Sequence, residues 1–168
     1  VFAAKDTWRQ NQPVAIKALH SQGAAEGLEV HLRREFAHLF HLQHPHLPVI
    51  YDFGITNETH TLQKVSAGSF FVVEEQINGA CADEWARGHP PATIAFIGAQ
   101  LASALACLHQ EGVAHGDIKP DNILITHGQS AKLIDFGLSY RSPKTTVAGT
   151  PRFMAPEALD GSANVASD

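Results

Sequence analysis

Cysteine, methionine and tryptophan are scarce in this sequence: 168 residues contain two Cys, one Met and two Trp. Cys81 and Cys107 do not form a CxxC pair. That excludes a disulfide framework and a zinc-ribbon signature. It fits a reducing compartment, so a cytoplasmic setting is expected. Cys107 lies in an apolar helical run and reads as a small core residue. HExxH is also absent, so the close-set His38, His41, His44 and His46 read as a polar helix end and the turn after it. No run approaches the ~18 uninterrupted apolar residues of a membrane helix, so no membrane segment is expected. Charge is sparse too: 12 Lys and Arg against 17 Asp and Glu give a net charge of −5. Without a basic patch, a dedicated nucleic-acid binder is excluded. The sequence opens on Val1-Phe2-Ala3, with no initiator Met and no signal segment in view.

What is present is the composition of a globular fold. Apolar residues make up 44% and charged residues 17% of the chain, enough for one core or a piece of a larger domain. Pro13 to Leu19 is short and β-branched, with a lone Lys at its centre, and predicts a strand. Val1 to Ala4 predicts the strand before it, joined by a turn over Asp6 to Gln12. From Glu26 to Leu42, apolar residues at Leu28, Leu32, Phe36, Leu39 and Phe40 fall on one helical face. His44-Pro45 ends that helix, because the residue before proline is pushed out of the α region. Leu47 to Phe53 and Phe70 to Gln76 predict two more strands, connected by Thr56 to Ser69. Pro90-Pro91 opens a long helix to about Gln110, with Ile94, Ile97, Leu101, Leu105 and Leu108 as its apolar positions and Gly112 just past its end. Ile123 to Thr126 and Ala131 to Ile134 predict a small hairpin around His127 to Ser130. Phe70-Phe71 and Trp85 read as packing residues, and Asp83-Glu84 as a solvated helix face.

Four constellations carry chemistry. The first is Lys17 at the centre of its strand. An ammonium on an inward position needs a counter-charge or an anionic ligand. Phosphates would supply the ligand, and a helix carboxylate would hold the ammonium in place. Glu26, Glu29 and Glu35 are the candidates, and Glu35, set among Phe36 and Leu39, is the choice. The second is His115-Gly116-Asp117-Ile118-Lys119-Pro120-Asp121-Asn122. Here Asp117 would accept or orient the proton of an attacking hydroxyl, Lys119 would neutralise charge on a transferring phosphoryl, and Asn122 would offer its amide oxygen to a divalent cation. One tight loop can aim all three at a point, which phosphoryl transfer requires because positioning and charge stabilisation are most of the work. The third is Asp135-Phe136-Gly137, 13 residues after Asn122. Asp135 would ligate Mg²⁺, a hard cation that takes oxygen ligands; Phe136 would pack under the helix carrying Glu35. The fourth runs from Gly149 to Glu157 (GTPRFMAPE). The Thr150 hydroxyl would bond Asp117 and Lys119, and Glu157 would serve as a structural ion-pair partner.

In this order the four constellations resemble eukaryotic-type Ser/Thr protein kinases, including those of bacteria, across essentially the whole chain. The resemblance implies an α+β, two-lobed fold. Residues 1–74 would be an antiparallel-sheet lobe with one helix, 75–79 a hinge, and 80–168 the first part of a mainly helical lobe. It implies a catalytic set of Asp117, Lys119, Lys17, Glu35 and Thr150, and a metal set of Asn122 and Asp135. Val1, Ala15, Lys17, Glu75, Ile77, Leu124 and Ile134 would line the ATP site, with the backbone of Glu75 to Ile77 bonding adenine and Glu74 as gatekeeper, an unusual residue there. ATP with Mg²⁺ or Mn²⁺, and protein substrates bearing Ser or Thr, are the implied cofactors and partners, and signalling the implied setting.

The sequence departs from the family in three places. A glycine-rich phosphate loop is expected upstream of Val1, and Ser167-Asp168 resembles the start of a large central helix, so the chain is expected to be truncated at both ends. The Arg partner of Glu157 would lie in the missing part. Gly116 replaces the arginine usual before the catalytic Asp. That arginine pairs with a phosphorylated loop residue, so activity is expected to depend less on phosphorylation of Ser142, Thr145 or Thr146. Two other readings are a pseudokinase acting as an ATP-binding scaffold and a small-molecule phosphotransferase of the same fold. Retention of Lys17, Asp117, Asn122 and Asp135 argues against the first. Lys119-Pro120 and the Gly149 to Glu157 segment argue against the second.

Overall fold

The structure is a computed structural model, and it describes residues 1–19, 39–59, 65–136, 140–141 and 149–168. The expected helix of Glu26 to Leu42 lies outside these apart from its end, where Leu39 and Phe40 are helical; Glu26, Glu29, Glu35, His38, Gly137, Ser142, Thr145 and Thr146 also lie outside. The chain forms two compact units, one of residues 1–43 and 48–76, the other of residues 44–47 and 77–168.

The first unit is a four-stranded antiparallel sheet. Its strands are β1 (Phe2–Asp6), β2 (Gln12–Leu19), β3 (Ile50–Ile55) and β4 (Phe70–Glu75), in the order β1-β2-β4-β3. β1 and β2 meet through a short 3₁₀ turn, Thr7–Arg9, whose start is capped by the Asp6 carboxylate accepting from the Trp8 and Arg9 amides. β3 begins three residues later than the pattern from Leu47 suggests. His44 to Leu47 closes as a turn, with the Leu47 amide on the His44 carbonyl, and Pro48 has no N–H to give a ladder. A bulge at Tyr51 then sets the register. Thr56 and Ser69 close the β3–β4 connection by a backbone bond of 2.9 Å. Val14, Leu39, Ile50, Val65, Phe70 and Val72 form the core, with Phe53 edge-on to Phe40.

The second unit is built on a long helix and small sheets. β5 (Gly79–Cys81) leads into the one-turn α1 (Ala82–Ala86), where Asp83 and Glu84 are exposed and the Trp85 ring stacks on His89 at 3.7 Å. α2 (Pro91–Gln110) starts with proline at its first turn, where a missing N–H costs nothing. It buries Ile97, Ala104 and Leu108, whereas Ile94, at the N-terminal end of the same face, is 40% exposed. Cys107 is half-buried, not core. By length and composition α2, with a mean hydropathy of 1.6, passes the test for crossing a membrane. Its polar residues are nevertheless tied into the unit. Gln100 donates to the Gln129 carbonyl and accepts from the Ala131 amide, and Ser103 meets His44. After α2 come β6 (Val113–Ala114), β7 (Ile123–Thr126) and β8 (Ala131–Leu133), then β9 (Tyr140–Arg141) and the short α3 (Pro156–Leu159). β7 lies between β5 and β8, and β6 pairs with β9. His44 to Leu47 belongs here: the His46 carbonyl accepts from the Leu133 amide at 2.9 Å, and Lys132 Nζ donates to the Leu47 carbonyl at 3.1 Å.

Candidate active site

Residues 115–122 run between β6 and β7. The loop ends in a 3₁₀ turn, Pro120–Asn122, whose Asn122 amide returns to the Lys119 carbonyl at 3.0 Å. Next to it, the Ile134 amide donates to the Asn122 carbonyl at 2.8 Å. That bond holds the end of β8, and therefore Asp135, beside Asn122.

Asp117 is the centre of the site. Its Oδ1 accepts from the Thr150 hydroxyl at 2.7 Å and the Thr150 amide at 2.9 Å. Its Oδ2 accepts from Lys119 Nζ at 2.6 Å and Asn122 Nδ2 at 3.0 Å. Lys119 Nζ also donates to Thr150 Oγ1 at 2.9 Å, which closes a ring of three side chains. Desolvation pushes the Asp117 carboxyl up. The hydrogen bonds from Lys119, Thr150 and Asn122 and the Lys119 charge outweigh it, and hold it below the usual carboxylate range. The same pairing raises the Lys119 ammonium. Both groups are therefore charged at neutral pH. With Nδ2 committed twice to Asp117, at its carbonyl and its carboxylate, Asn122 has its amide oxygen for a cation.

Asp135 has φ +70°, a left-handed backbone that non-glycine residues adopt at a cost. Strain of this kind, at a side chain expected to bind metal, is the pattern of a functional position. Phe136 is 6% exposed and packs on the His115 ring, with centroids 5.5 Å apart. The helix expected above it lies outside the described residues. Asn122 and Asp135 together offer two hard oxygen donors. Among the described residues no cluster of three or more His, Cys, Asp or Glu could hold a metal ion. Two such donors fit a Mg²⁺ or Mn²⁺ that brings phosphate and water oxygens with it.

Sequence reasoning missed what holds this loop. His115 is fully buried. Its Nε2 donates to the Ile134 carbonyl at 2.9 Å and its Nδ1 accepts from the Asp117 amide at 3.4 Å, which fixes the neutral tautomer with its proton on Nε2. Burial holds the imidazole below its usual range. Asp168, read in sequence only as the start of a helix, clamps the loop from outside. Its carboxylate accepts from the amides of His115 at 2.7 Å and Gly116 at 2.8 Å, and meets His109 Nε2 at 2.9 Å. These partners are more than 50 residues apart, and no local pattern announces them.

Two glycines let the Thr150 segment come close. Gly116 has φ +81°. Gly149 has φ +135°, and a Cβ there would sit 2.9 Å from the Gly116 carbonyl oxygen. Only glycine permits that backbone approach, and the approach delivers Thr150 to Asp117. Downstream, Glu157 accepts from Ser167 Oγ at 2.7 Å, a bond that lowers its carboxyl.

The remaining sequence-named residues fall into two sets. In the first unit, Ala15 and Lys17 are half-buried neighbours on one face of β2, and Val1 is 80% exposed. Glu75 ends β4, and its amide donates to the Val49 carbonyl at 2.8 Å, so only its carbonyl could serve adenine. In the second unit, Ile77 lies in the segment before β5, Leu124 pairs with Cys81 and Lys132, and Ile134 bridges Asn122 and His115.

Residues 1–168 match the sequence model of the family described as protein kinase domain. The chain is 33% identical to serine/threonine-protein kinase PknD of Mycobacterium tuberculosis over 171 residues, covering 96% of this chain and 24% of that protein. It is 34% identical to putative CBL-interacting protein kinase 13 of Oryza sativa subsp. japonica, over 88% of this chain and 29% of the relative. It is 31% identical to CBL-interacting serine/threonine-protein kinase 12 of Arabidopsis thaliana, over 95% and 32%. The chain thus spans about a quarter to a third of the length of these curated relatives. The match over its whole length, on a loop built around Asp117, Lys119, Asn122 and Thr150, shows that this chain belongs to the protein kinase domain family, with Ser/Thr kinases as its relatives.

Proposed function

We propose that the protein transfers the γ-phosphoryl of ATP to Ser or Thr hydroxyls of protein substrates, in a signalling role in the cytoplasm. The observation that supports this best is the closed ring of Asp117, Lys119 and Thr150. An ionised carboxylate held by four hydrogen bonds is fixed in place and ready to orient an incoming hydroxyl and take its proton. The Lys119 ammonium, 2.6 Å from that carboxylate, would meet charge developing on the transferring phosphoryl. The Thr150 hydroxyl keeps the two in register. Mg²⁺ or Mn²⁺, when bound, would neutralise phosphate charge, with the Asn122 amide oxygen and the Asp135 carboxylate as its protein ligands. Lys17 would hold the α- and β-phosphates, partnered by Glu35. Ala15, Val1, Leu124 and Ile134 would give apolar contacts to the nucleotide, and the backbone of Glu75 to Ile77 would give polar ones.

The test is transfer of label from γ-labelled ATP by the full-length protein. It is offered a mixture of Ser/Thr proteins and, separately, a panel of amino-alcohols. Labelled protein Ser or Thr, abolished by Asp135→Ala, supports the reading. Labelling of the amino-alcohols alone, or none with either acceptor, overturns it.

A further inference from the structure

Residues 44–47 are held in the second unit through two histidines with opposite demands. The chain leaves the first unit after Gln43 and returns to it at Pro48. Pro45 and Pro48 have no N–H, so the backbone donors between them are the His46 and Leu47 amides. Both go to His44. The Leu47 amide donates to its carbonyl at 3.1 Å, and the His46 amide donates to its ring Nδ1 at 3.2 Å. A ring nitrogen that accepts from an amide carries no proton. The proton of the neutral ring is therefore on Nε2, which donates to Ser103 Oγ of α2 at 3.1 Å. His46 is placed the other way round. Its Nδ1 meets the Ala131 carbonyl at 3.0 Å. A carbonyl only accepts, so this Nδ1 carries a proton whether the ring is neutral or charged. The grip on β8 is completed by the Leu133 amide on the His46 carbonyl and by Lys132 Nζ on the Leu47 carbonyl.

We propose that the turn of His44 to Leu47 is an acid-sensitive clasp, which grips α2 and β8 while His44 is neutral and slackens when His44 gains a proton. A second proton would go on Nδ1, where it faces the His46 N–H and ends that bond. It would also set a cation beside two others. The titratable groups that act on His44 are His46 of its own turn, with ring centroids 5.4 Å apart, and Lys132 of β8, and both disfavour its charge. From α2 it meets the Ser103 hydroxyl. Desolvation, His46 and Lys132 together hold the imidazole below its usual range. The sign follows from that direction. The grip is complete above the ordinary histidine value of about 6.5, and is lost as pH falls through the lower folded value. Asp117, held low, and Lys119, held high, keep their charges near neutral pH, so the clasp slackens without discharging the catalytic pair.

Amide hydrogen exchange of the full-length protein tests this, followed by mass spectrometry at pH 7.5 and pH 5.5 and corrected for the intrinsic pH dependence of exchange. The reporting amides are His46 and Leu47 in the turn and Leu133 in β8. Loss of one neutral hydrogen bond raises the open population of a segment by about two- to tenfold. These amides are expected to exchange faster by that factor at pH 5.5, while those of Ala104 to Leu108 in α2 hold steady. His44→Asn cannot take a proton, and its Oδ1 accepts from the amide two residues on, as Asn does in turns. Its exchange is expected to be the same at both pH values. His46→Asn keeps a donor for the Ala131 carbonyl and is expected to retain the acid effect. Should His44→Asn fold poorly, His44→Gln is equally blind to pH and presents an amide to Ser103. Three results would overturn the clasp. They are turn amides indifferent to pH in the wild type, an acceleration no larger than that of Ala104 to Leu108, or one abolished by His46→Asn rather than by the His44 variant.

Discussion

Removal of one hydroxyl, by Thr150→Val, isolates the ring at the centre of the site. The Thr150 Oγ1 donates to Asp117 at 2.7 Å and accepts from Lys119 at 2.9 Å, while the Thr150 amide holds Asp117 independently at 2.9 Å. Valine has the same outline, keeps the amide and loses both hydroxyl bonds. Lys119 and Asp117 still meet directly at 2.6 Å, so the pair persists, but the ammonium loses its second anchor and the carboxylate one of four. A hydrogen bond to a charged group is worth about 1.5–3 kcal/mol. Loss of one such bond's worth of alignment in the transition state lowers kcat by about 10- to 150-fold. The KM for ATP should hold, because Thr150 acts on the acceptor side of the reaction. Thr150→Ser restores the hydroxyl and should recover most of the rate. The assay is steady-state phosphotransfer by the full-length protein at saturating ATP, with thermal melts to show that the variants are folded. A folded Val variant with wild-type kcat, or a Ser variant as slow as Val, would refute the reasoning.

Other outcomes follow from the same geometry. Gly149→Ala puts a Cβ 2.9 Å from the Gly116 carbonyl at φ +135°, and should lower phosphotransfer at least about tenfold together with the melting temperature; unchanged activity would show that the close approach is dispensable. His115 is buried neutral with its folded pKa lowered, so the unfolded chain binds more protons near pH 6. The stability it contributes is present above its unfolded pKa and is lost as pH falls toward the folded one. Denaturant midpoints should therefore drop from pH 7 to pH 5, and less steeply in His115→Phe. Leu108 is fully buried on α2, and Leu108→Ala should cost about 2–5 kcal/mol in equilibrium unfolding. Among the described residues, Ser69 Oγ is buried without a hydrogen-bond partner, so Ser69→Ala should leave stability unchanged or raise it.

Much of the site could be read in the sequence because its chemistry is local. Asp117, Lys119 and Asn122 lie within six residues, and a loop that short can hardly keep them apart. Thr150 needed one further contact, and the hydroxyl chemistry named its partners. β2, β4, α2 and the β7–β8 hairpin followed from period and punctuation. What could not be read is long-range. The Asp168 clamp joins residues 52 and 53 apart in the chain. The turn of His44 to Leu47 is held by β8, 85 residues later, so β3 starts at Ile50 rather than Leu47. Ile94 fits the helical period but lies in the first turn of α2, where it stays 40% exposed. β5 and α1 were too short to leave a periodic signal.

The central claim is that Asp117 acts on the hydroxyl being phosphorylated. Asp117→Asn keeps the size of the side chain and removes its charge and its capacity to take a proton. The decisive measurement is single-turnover phosphotransfer by this variant beside its ATP affinity. The expected result is a rate lower by about 10²–10⁴-fold with ATP still bound as in the wild type; a rate within a few-fold of the wild type would contradict the account.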